Sequence, residues 1–145
     1  MSLFSAIQVS ASGLSAQRTR VELLMENIAN AETTRTPGGG PYRRRDAVFQ
    51  SEPMPASFTT LLAGAVGEPL TGVAVTEITE DDSEPERRYL PGHPDADQEG
   101  YVTFPRLNPV EDMVDLTSAV RSYQANVAAI GAAKEMLHRS MDLLR

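Results

Sequence analysis

Residues 108–145 read NPVEDMVDLTSAVRSYQANVAAIGAAKEMLHRSMDLLR. Within them Met113, Leu116, Val120, Tyr123, Val127, Ile130, Lys134, Leu137, Met141 and Leu144 follow one another at alternating steps of three and four. That spacing belongs to a helix with a narrow apolar seam set against another helix. Lys134 is the one charged rung, and a polar rung can set register or meet an acidic neighbour. Asn108 suits the N-cap, Pro109 the first helical position, and Glu111 completes an Asn-x-x-Glu box. Glu111 and Asp112 favour the positive end of the helix dipole, and Arg139 and Arg145 the negative end. Ala128, Ala129, Ala132 and Ala133 beside the seam favour close helix–helix packing over the alternative, an amphipathic helix lying on an ordinary core.

A second helix is expected at the other end, from about Leu3 to about Asn30. Ile7, Leu14, Val21 and Ile28 recur at intervals of seven, and Leu3, Phe4, Ala11, Leu24 and Met25 widen the stripe. Gly13 is the one strong interior breaker, worth ~1 kcal/mol against Ala. The run Pro37-Gly38-Gly39-Gly40-Pro41 cannot continue a helix. All ten prolines lie between positions 37 and 109, so the middle reads as short strands and loops. Strands are expected at Tyr42 to Phe49, Leu70 to Thr79 and Gly100 to Phe104, with a solvated acidic stretch at Glu77 to Glu86. Residues 50–70 give no assignment.

The fold class that follows is mainly α with a small β part. Residues 1–35 and 108–145 form one unit, two long helices paired in a coiled-coil-like core. Residues 36–107 form a Pro/Gly-rich middle of short strands and loops. Each terminal helix has one apolar stripe and cannot bury it alone, so the simplest solution packs them together.

Composition narrows the function. The chain has 145 residues, 41% of them apolar and 6% aromatic, with no Trp and no Cys. Disulfides, thiolate metal ligands and a cysteine nucleophile are excluded. The net charge is −7, and residues 61–108 carry all the excess. That disfavours nucleic acid, whose phosphates need a basic face. Arg43-Arg44-Arg45 is too short a run to supply one and reads as a solvated or partner-contacting strand. The start lacks the basic and long apolar regions of a cleaved secretory signal. No stretch approaches the ~20 apolar residues of a membrane span.

No constellation for chemistry assembles. His93, Asp95, Asp97 and Glu99 imitate the start of a calcium loop, but Arg106 stands where its bidentate acid belongs. They read instead as a Pro-Gly turn with solvated acids. His138 lies one residue past Leu137 and reads as a half-exposed helix residue. There is no phosphate loop and no Gly-x-Ser-x-Gly elbow. No catalytic, metal or cofactor site is expected, and the chain reads as a building block.

The two ends resemble the flagellar axial family of rod and hook proteins. The N-terminal match is SGLSAQRTRVELLMENIANAET (12–33), in which Gly13, Leu14, Gln17, Arg18, Asn27, Ile28, Ala29 and Asn30 are distinctive. The C-terminal match centres on Arg121, Ser122, Tyr123, Gln124, Ala125 and Asn126. PYRRRDAVF (41–49), the Ser83-Glu84-Pro85 turn, YLPGHPDADQEGYVTFP (89–105) and NPVEDMVDL (108–116) are similar, in order, to proximal-rod members. Arg106-Leu107 departs from the more usual Asn-Val. The resemblance covers nearly the whole chain, with 50–70 the least assignable.

It implies a structural subunit that stacks helically in the rod and is exported unprocessed by the flagellar type III apparatus. Its partners would be copies of itself, other proximal-rod proteins, the rod-base adapter and the distal rod. Its place would be the part of the basal body that crosses the periplasm. The seam residues Ile7, Leu14, Val21, Ile28, Met113, Leu116, Val120, Tyr123, Val127, Ile130 and Leu137 are then expected to carry assembly. The termini are expected to be poorly ordered in the free subunit and to zip up on assembly. Two competing readings are a soluble coiled-coil adapter or secretion chaperone, and a small enzyme or metal-binding domain using residues 93–99.

Overall fold

A computed structural model describes residues 3–54 and 71–142. The expectations for Leu70, Leu144 and Arg145 lie outside these. In chain order the elements are α1 (Leu3–Ala29), β1 (Arg45–Pro53), β2 (Thr71–Glu80), β3 (Glu86–Tyr89), β4 (Tyr101–Phe104) and α2 (Pro109–Asp142). The helices are about 40 Å and 51 Å long at 1.5 Å per residue.

α2 starts where its cap dictates. The Asn108 side chain accepts a hydrogen bond from the Val110 amide at 3.2 Å. Among the described residues no return bond from Glu111 completes the box. α1 ends because Asn30 turns its amide back onto the Glu26 carbonyl at 2.9 Å, and the Thr33 hydroxyl donates to Asn30 at 3.1 Å.

The two helices pack side by side and antiparallel. Gly13 on α1 meets Asn126 on α2, and further along α1 Arg20 meets Asp115, earlier on α2, at 3.6 Å. Buried apolar residues on the helices are Ala16, Leu23, Leu24, Ala119 and Ala133; Val102 and Phe104 of β4 complete the described core.

The face of α2 that turns inward differs from the expected seam. Asp112, Ala119 and Ala133 are buried and Asn126 half-buried, at steps of seven. Of the expected rungs, Leu116, Ile130 and Leu137 are half-buried, while Met113, Val120, Tyr123, Val127, Lys134 and Met141 are exposed. The inward line has rotated one position toward the small residues, because alanines let the helix backbones approach closely. The larger side chains are left on the flank. On α1, Ile7, Leu14, Val21 and Ile28 are all half-buried.

β1 and β2 form an antiparallel ribbon with a bulge between Val48 and Phe49, so that Thr76 is the extra residue. β3 and β4 form a separate two-stranded antiparallel sheet. β1 begins three residues later than expected. The Tyr42 amide is already bonded to the Thr33 carbonyl at 3.0 Å, closing the loop after α1. That loop turns at Gly39 and Gly40, whose φ angles of 86° and 77° suit glycine. β3 was absent from the sequence reading: its residues ERRY are all exposed and show no alternation.

The acids at 77–86 are exposed, as expected of a solvated stretch, and several also make surface ion pairs. Glu80 pairs with Arg45 at 3.1 Å, Asp82 with Arg43, and Glu86 with Arg88 at 3.0 Å. Ser83 donates its amide and hydroxyl to Asp81 and holds that carboxyl below its usual range. The basic triplet is thereby neutralised within the chain: Arg43 by Asp82, Arg44 by Asp112 and Asp46, Arg45 by Glu80 and Glu26.

Candidate assembly interface

The geometry of α1 is governed by polar residues at its two ends. Near the start, Ser12 and Gly13 face different neighbours. The Ser12 hydroxyl donates to the Val9 carbonyl at 2.8 Å and accepts from the Val73 amide of β2 at 3.1 Å. Gly72 makes this docking possible, since a Cβ there would lie 2.9 Å from the Ser12 oxygen. Gly13 receives Asn126 of α2: a Cβ at Gly13 would lie 3.1 Å from the Asn126 amide nitrogen. That amide also donates to the Ser122 carbonyl at 3.1 Å.

Toward the other end, Asn27 is wholly buried. Its amide donates to the Arg45 carbonyl at 2.9 Å, and its oxygen accepts from the Arg45 amide at 3.0 Å and the Tyr42 hydroxyl at 2.9 Å. Ser12 and Asn27 are therefore two clasps on one ribbon. From Asn27 to Ser12 is about 22 Å of helix. From Arg45 to Glu52, which pairs with Gly72, is about 23 Å of strand. The lengths match, so β1–β2 lies along α1 and is held at both ends.

α2 is held at its start by charge. Arg44 Nη2 lies 3.0 Å from Asp112 Oδ1, and the Asp112 side chain is almost fully enclosed. Neither Asp112 oxygen has a hydrogen-bond partner among the described residues. Burial pushes the Asp112 carboxyl above its usual range, against the opposing pull of Arg44.

Two results follow. Arg44→Ala strands a buried carboxylate and is expected to destabilise the chain toward the lower end of ~3–5 kcal/mol, because Arg44 itself keeps some solvent contact. The folded state binds the Asp112 proton more readily than the unfolded chain, so Asp112 weakens folding as pH rises from the ordinary carboxylate range through its raised value. In Arg44→Ala that value rises further, and urea melts should show part of the loss recovered as pH falls from 7 toward 5. A loss that does not depend on pH would contradict the pairing. Gly13→Leu gains helix propensity but must displace Asn126, and overpacking of this kind costs ~1–3 kcal/mol. A lower thermal midpoint for Gly13→Leu is expected, and an unchanged one would mean that the helices have slack at this crossing.

The 93–101 loop also differs from expectation. Asp95 accepts from the Thr34 hydroxyl at 2.8 Å and pairs with Arg35 at 3.3 Å, which ties the loop to the end of α1. Asp97 accepts from the Tyr101 and Glu99 amides and pairs with Arg87 at 2.8 Å; the Tyr101 amide leads in holding its carboxyl below the usual range. His93 sits edge-on to Phe104 and accepts from the Asp95 amide at 3.2 Å. Asp97 and Glu99 remain exposed, as expected of solvated acids, while Asp95 is half-buried, and Asp95 and Asp97 also tie the loop together. Among the described residues no group of three or more His, Cys, Asp or Glu is placed to hold a metal ion. No described helix is long and apolar enough to cross a membrane.

Of the motif residues, Gly13, Asn27, Asn30 and Asn126 are thus brought to work inside the chain. Gln17 is half-buried, with an enclosed amide oxygen that has no hydrogen-bond partner among the described residues. Arg18 pairs with Glu22 at 2.9 Å on the surface. Ala29, Arg121, Gln124 and Ala125 are exposed. Ser12, Tyr42, Arg44, Gly72 and Asp112 were not singled out as site residues from sequence. For Asp112 a signal existed: it precedes Leu116 and Ala119 by four and seven residues, on one helix face.

Comparison with known proteins places these features in context. Residues 7–35 match the family described as "Flagella basal body rod protein", and residues 98–143 match "Flagellar basal body rod FlgEFG protein C-terminal". The chain is 40% identical to the flagellar basal-body rod protein FlgC of Borreliella burgdorferi, over 100% of this chain and 99% of that one. It is 42% identical to FlgC of Bacillus subtilis over 99% of both chains. With FlgC of Escherichia coli O6:H1 the identity is 35%, over 99% of this chain and 98% of that one.

Proposed function

Because the chain belongs to the FlgC family of flagellar basal-body rod proteins, and so is a structural subunit of the basal-body rod, we propose that it builds the proximal rod by helical self-assembly through α1 and α2. In this reading the paired helices form the inner wall of the axial tube, line the export channel and transmit torque. The partners are copies of itself, other proximal-rod subunits, the rod-base adapter and the distal rod. The chain reaches the periplasmic part of the rod through the flagellar type III export apparatus, without a cleaved signal peptide. No enzymatic step, cofactor, nucleic acid or membrane insertion enters the mechanism.

What supports the reading is surface. On the two helices Phe4, Met25, Met113, Val120 and Val127 stand 37–69% exposed. A structure with so few buried apolar residues and two helices longer than a domain of this size needs is suited to burying more surface against neighbours. The rungs Met113, Val120, Tyr123 and Val127, which α1 leaves uncovered, are the side chains proposed to do so. Leu116, Ile130 and Leu137 with Ile7, Leu14, Val21 and Ile28 are proposed to join the pair and flank the assembly contact. In the free chain the helix ends are proposed to be only partly ordered, since burial supplies most helical stability. Ordering on assembly also suits passage through a narrow channel.

Deleting the coding sequence and imaging the cell envelope by electron cryotomography tests the role. A membrane ring without completed rod, hook or filament, restored by a plasmid copy, is expected. Intact flagella in a strain with no second copy would contradict it.

A further inference from the structure

A pocket of about 120 Å³ opens where the two sheets meet, between the loop that follows α1, the connection from β2 to β3 and the residues after β4. None of its lining residues belongs to α1 or α2. Three arginines line it, Arg43, Arg44 and Arg106, against one acid, Asp81. We infer that this pocket receives a single carboxylate side chain, an aspartate or a glutamate, from an adjoining rod subunit, and that Arg106 selects it. This rests on the rod reading above and concerns a surface other than the helix pair.

The charges around the pocket single out Arg106. Arg44 is committed inward, with Nη2 3.0 Å from Asp112 and Nε 3.3 Å from Asp46. Arg43 is paired with Asp82, whose side chain is 90% exposed. An exposed pair of that kind is worth little, so Arg43 can share its charge with a newcomer at small cost. Asp81 is occupied by its neighbour: Oδ1 accepts from the Ser83 amide at 2.9 Å and Oδ2 from the Ser83 hydroxyl at 2.8 Å. Arg106 is exposed and has no ion pair among the described residues. Its guanidinium offers a planar fork of donors, which a carboxylate matches with two parallel hydrogen bonds.

The walls favour a protein side chain over a free anion. Pro41, Tyr42 and Pro85 bring carbon-rich surface to the pocket. That surface suits the methylene stem of an acidic residue and offers nothing to a bare phosphate. The volume has room for one short side chain. A charge pair at such a place governs the choice of partner more than the strength of binding.

Competition between two chains reads that choice directly. Wild type and an Arg106 variant, full-length and differently tagged, are produced in one cell, and their ratio in purified basal bodies is compared with that in the whole cell. R106K keeps the charge and should enter best of the variants. R106N should be depleted, and R106E, which sets like charge against like, depleted by about tenfold or more. Entry of R106E on equal terms with wild type would overturn the pocket, and equal depletion of R106K and R106E would overturn the role of charge. Thermal melts of isolated R106E should match wild type; a lowered midpoint would give Arg106 a task inside the chain and overturn its selecting role. Derivatives of an R106E strain that spread faster in soft agar should carry an acid changed to Lys or Arg on a rod subunit, at a position other than Asp46, Asp81, Asp82 and Asp112. Changes confined to those four would overturn the adjoining carboxylate. Failure of the wild-type chain to enter basal bodies at all would instead overturn the rod reading, and the pocket's role with it.

Discussion

Val120→Asp is expected to abolish rod assembly while leaving the isolated chain as folded as the wild type. Val120 is 37% exposed on the free subunit and forms no part of the inward line of α2. A carboxylate there meets water in the monomer and changes little. In the assembled state it would enter a closed apolar contact, where an unpaired charge costs several kcal/mol or forces its own neutralisation. Burying valine contributes ~1.5–3 kcal/mol, so the substitution both removes a gain and adds a penalty, once in every copy. Ile130→Asp is the control with a different signature. Ile130 is half-buried beside α1, so that change should weaken the chain itself as well as the rod. Soft-agar motility and recovery of the variant in basal bodies read assembly; circular dichroism reads folding. Normal swimming by Val120→Asp would place the contact elsewhere.

Asn27→Leu should be the most damaging single change to the subunit itself, by about 2–6 kcal/mol if two of the three stranded groups find no new partner at ~1–3 kcal/mol each. Leucine fills similar space but leaves the Arg45 amide, the Arg45 carbonyl and the Tyr42 hydroxyl unmatched. The expected consequence is local: β1 loses its lower clasp and the ribbon swings on Ser12 alone. Asn27→Asp keeps the acceptor for Arg45 and Tyr42 but loses the donor, and should fall between Leu and wild type. Denaturant melts give the size, and amide exchange at Arg45 gives the place. Equal stability for Asn27→Leu would mean that the clasp contributes little to folding.

The parts of the fold written in periodicity were legible in sequence. The two helices, the N-cap at Asn108 and the strand at Tyr101–Phe104 came from apolar spacing, cap chemistry and flanking glycine and proline. What periodicity missed was the phase of the inward face. A seam drawn through the largest side chains selected Met113, Val120 and Val127, whereas the inward line of α2 runs through Asp112, Ala119, Asn126 and Ala133. Hydrophobicity ranks valine above alanine, but backbone approach at Gly13 favours the smaller side chain. The start of β1 was misplaced because a strand propensity at Tyr42 cannot reveal that its amide is committed to Thr33. β3 carried no apolar signal. Its pairing with β4 is set by the loop that Asp97 closes.

The motif residues teach a related lesson. Asn27 and Gly13 entered the sequence reading as marks of kinship, and the structure gives each a mechanical task inside the chain. Asp112 was read only as an acid favoured by the helix dipole. Its enclosure depends on Arg44, far away in sequence and brought to it only by the ribbon lying along α1.

The central proposal is that the α1–α2 pair is the assembling part of the subunit. Electron cryomicroscopy of purified basal bodies, at a resolution that places side chains, tests it most directly. The account predicts α1 and α2 in the inner wall of the rod, with Met113, Val120 and Val127 buried against a neighbouring helix. Finding the pair on the outer surface, with those residues facing solvent and the contacts made by the strands, would contradict it.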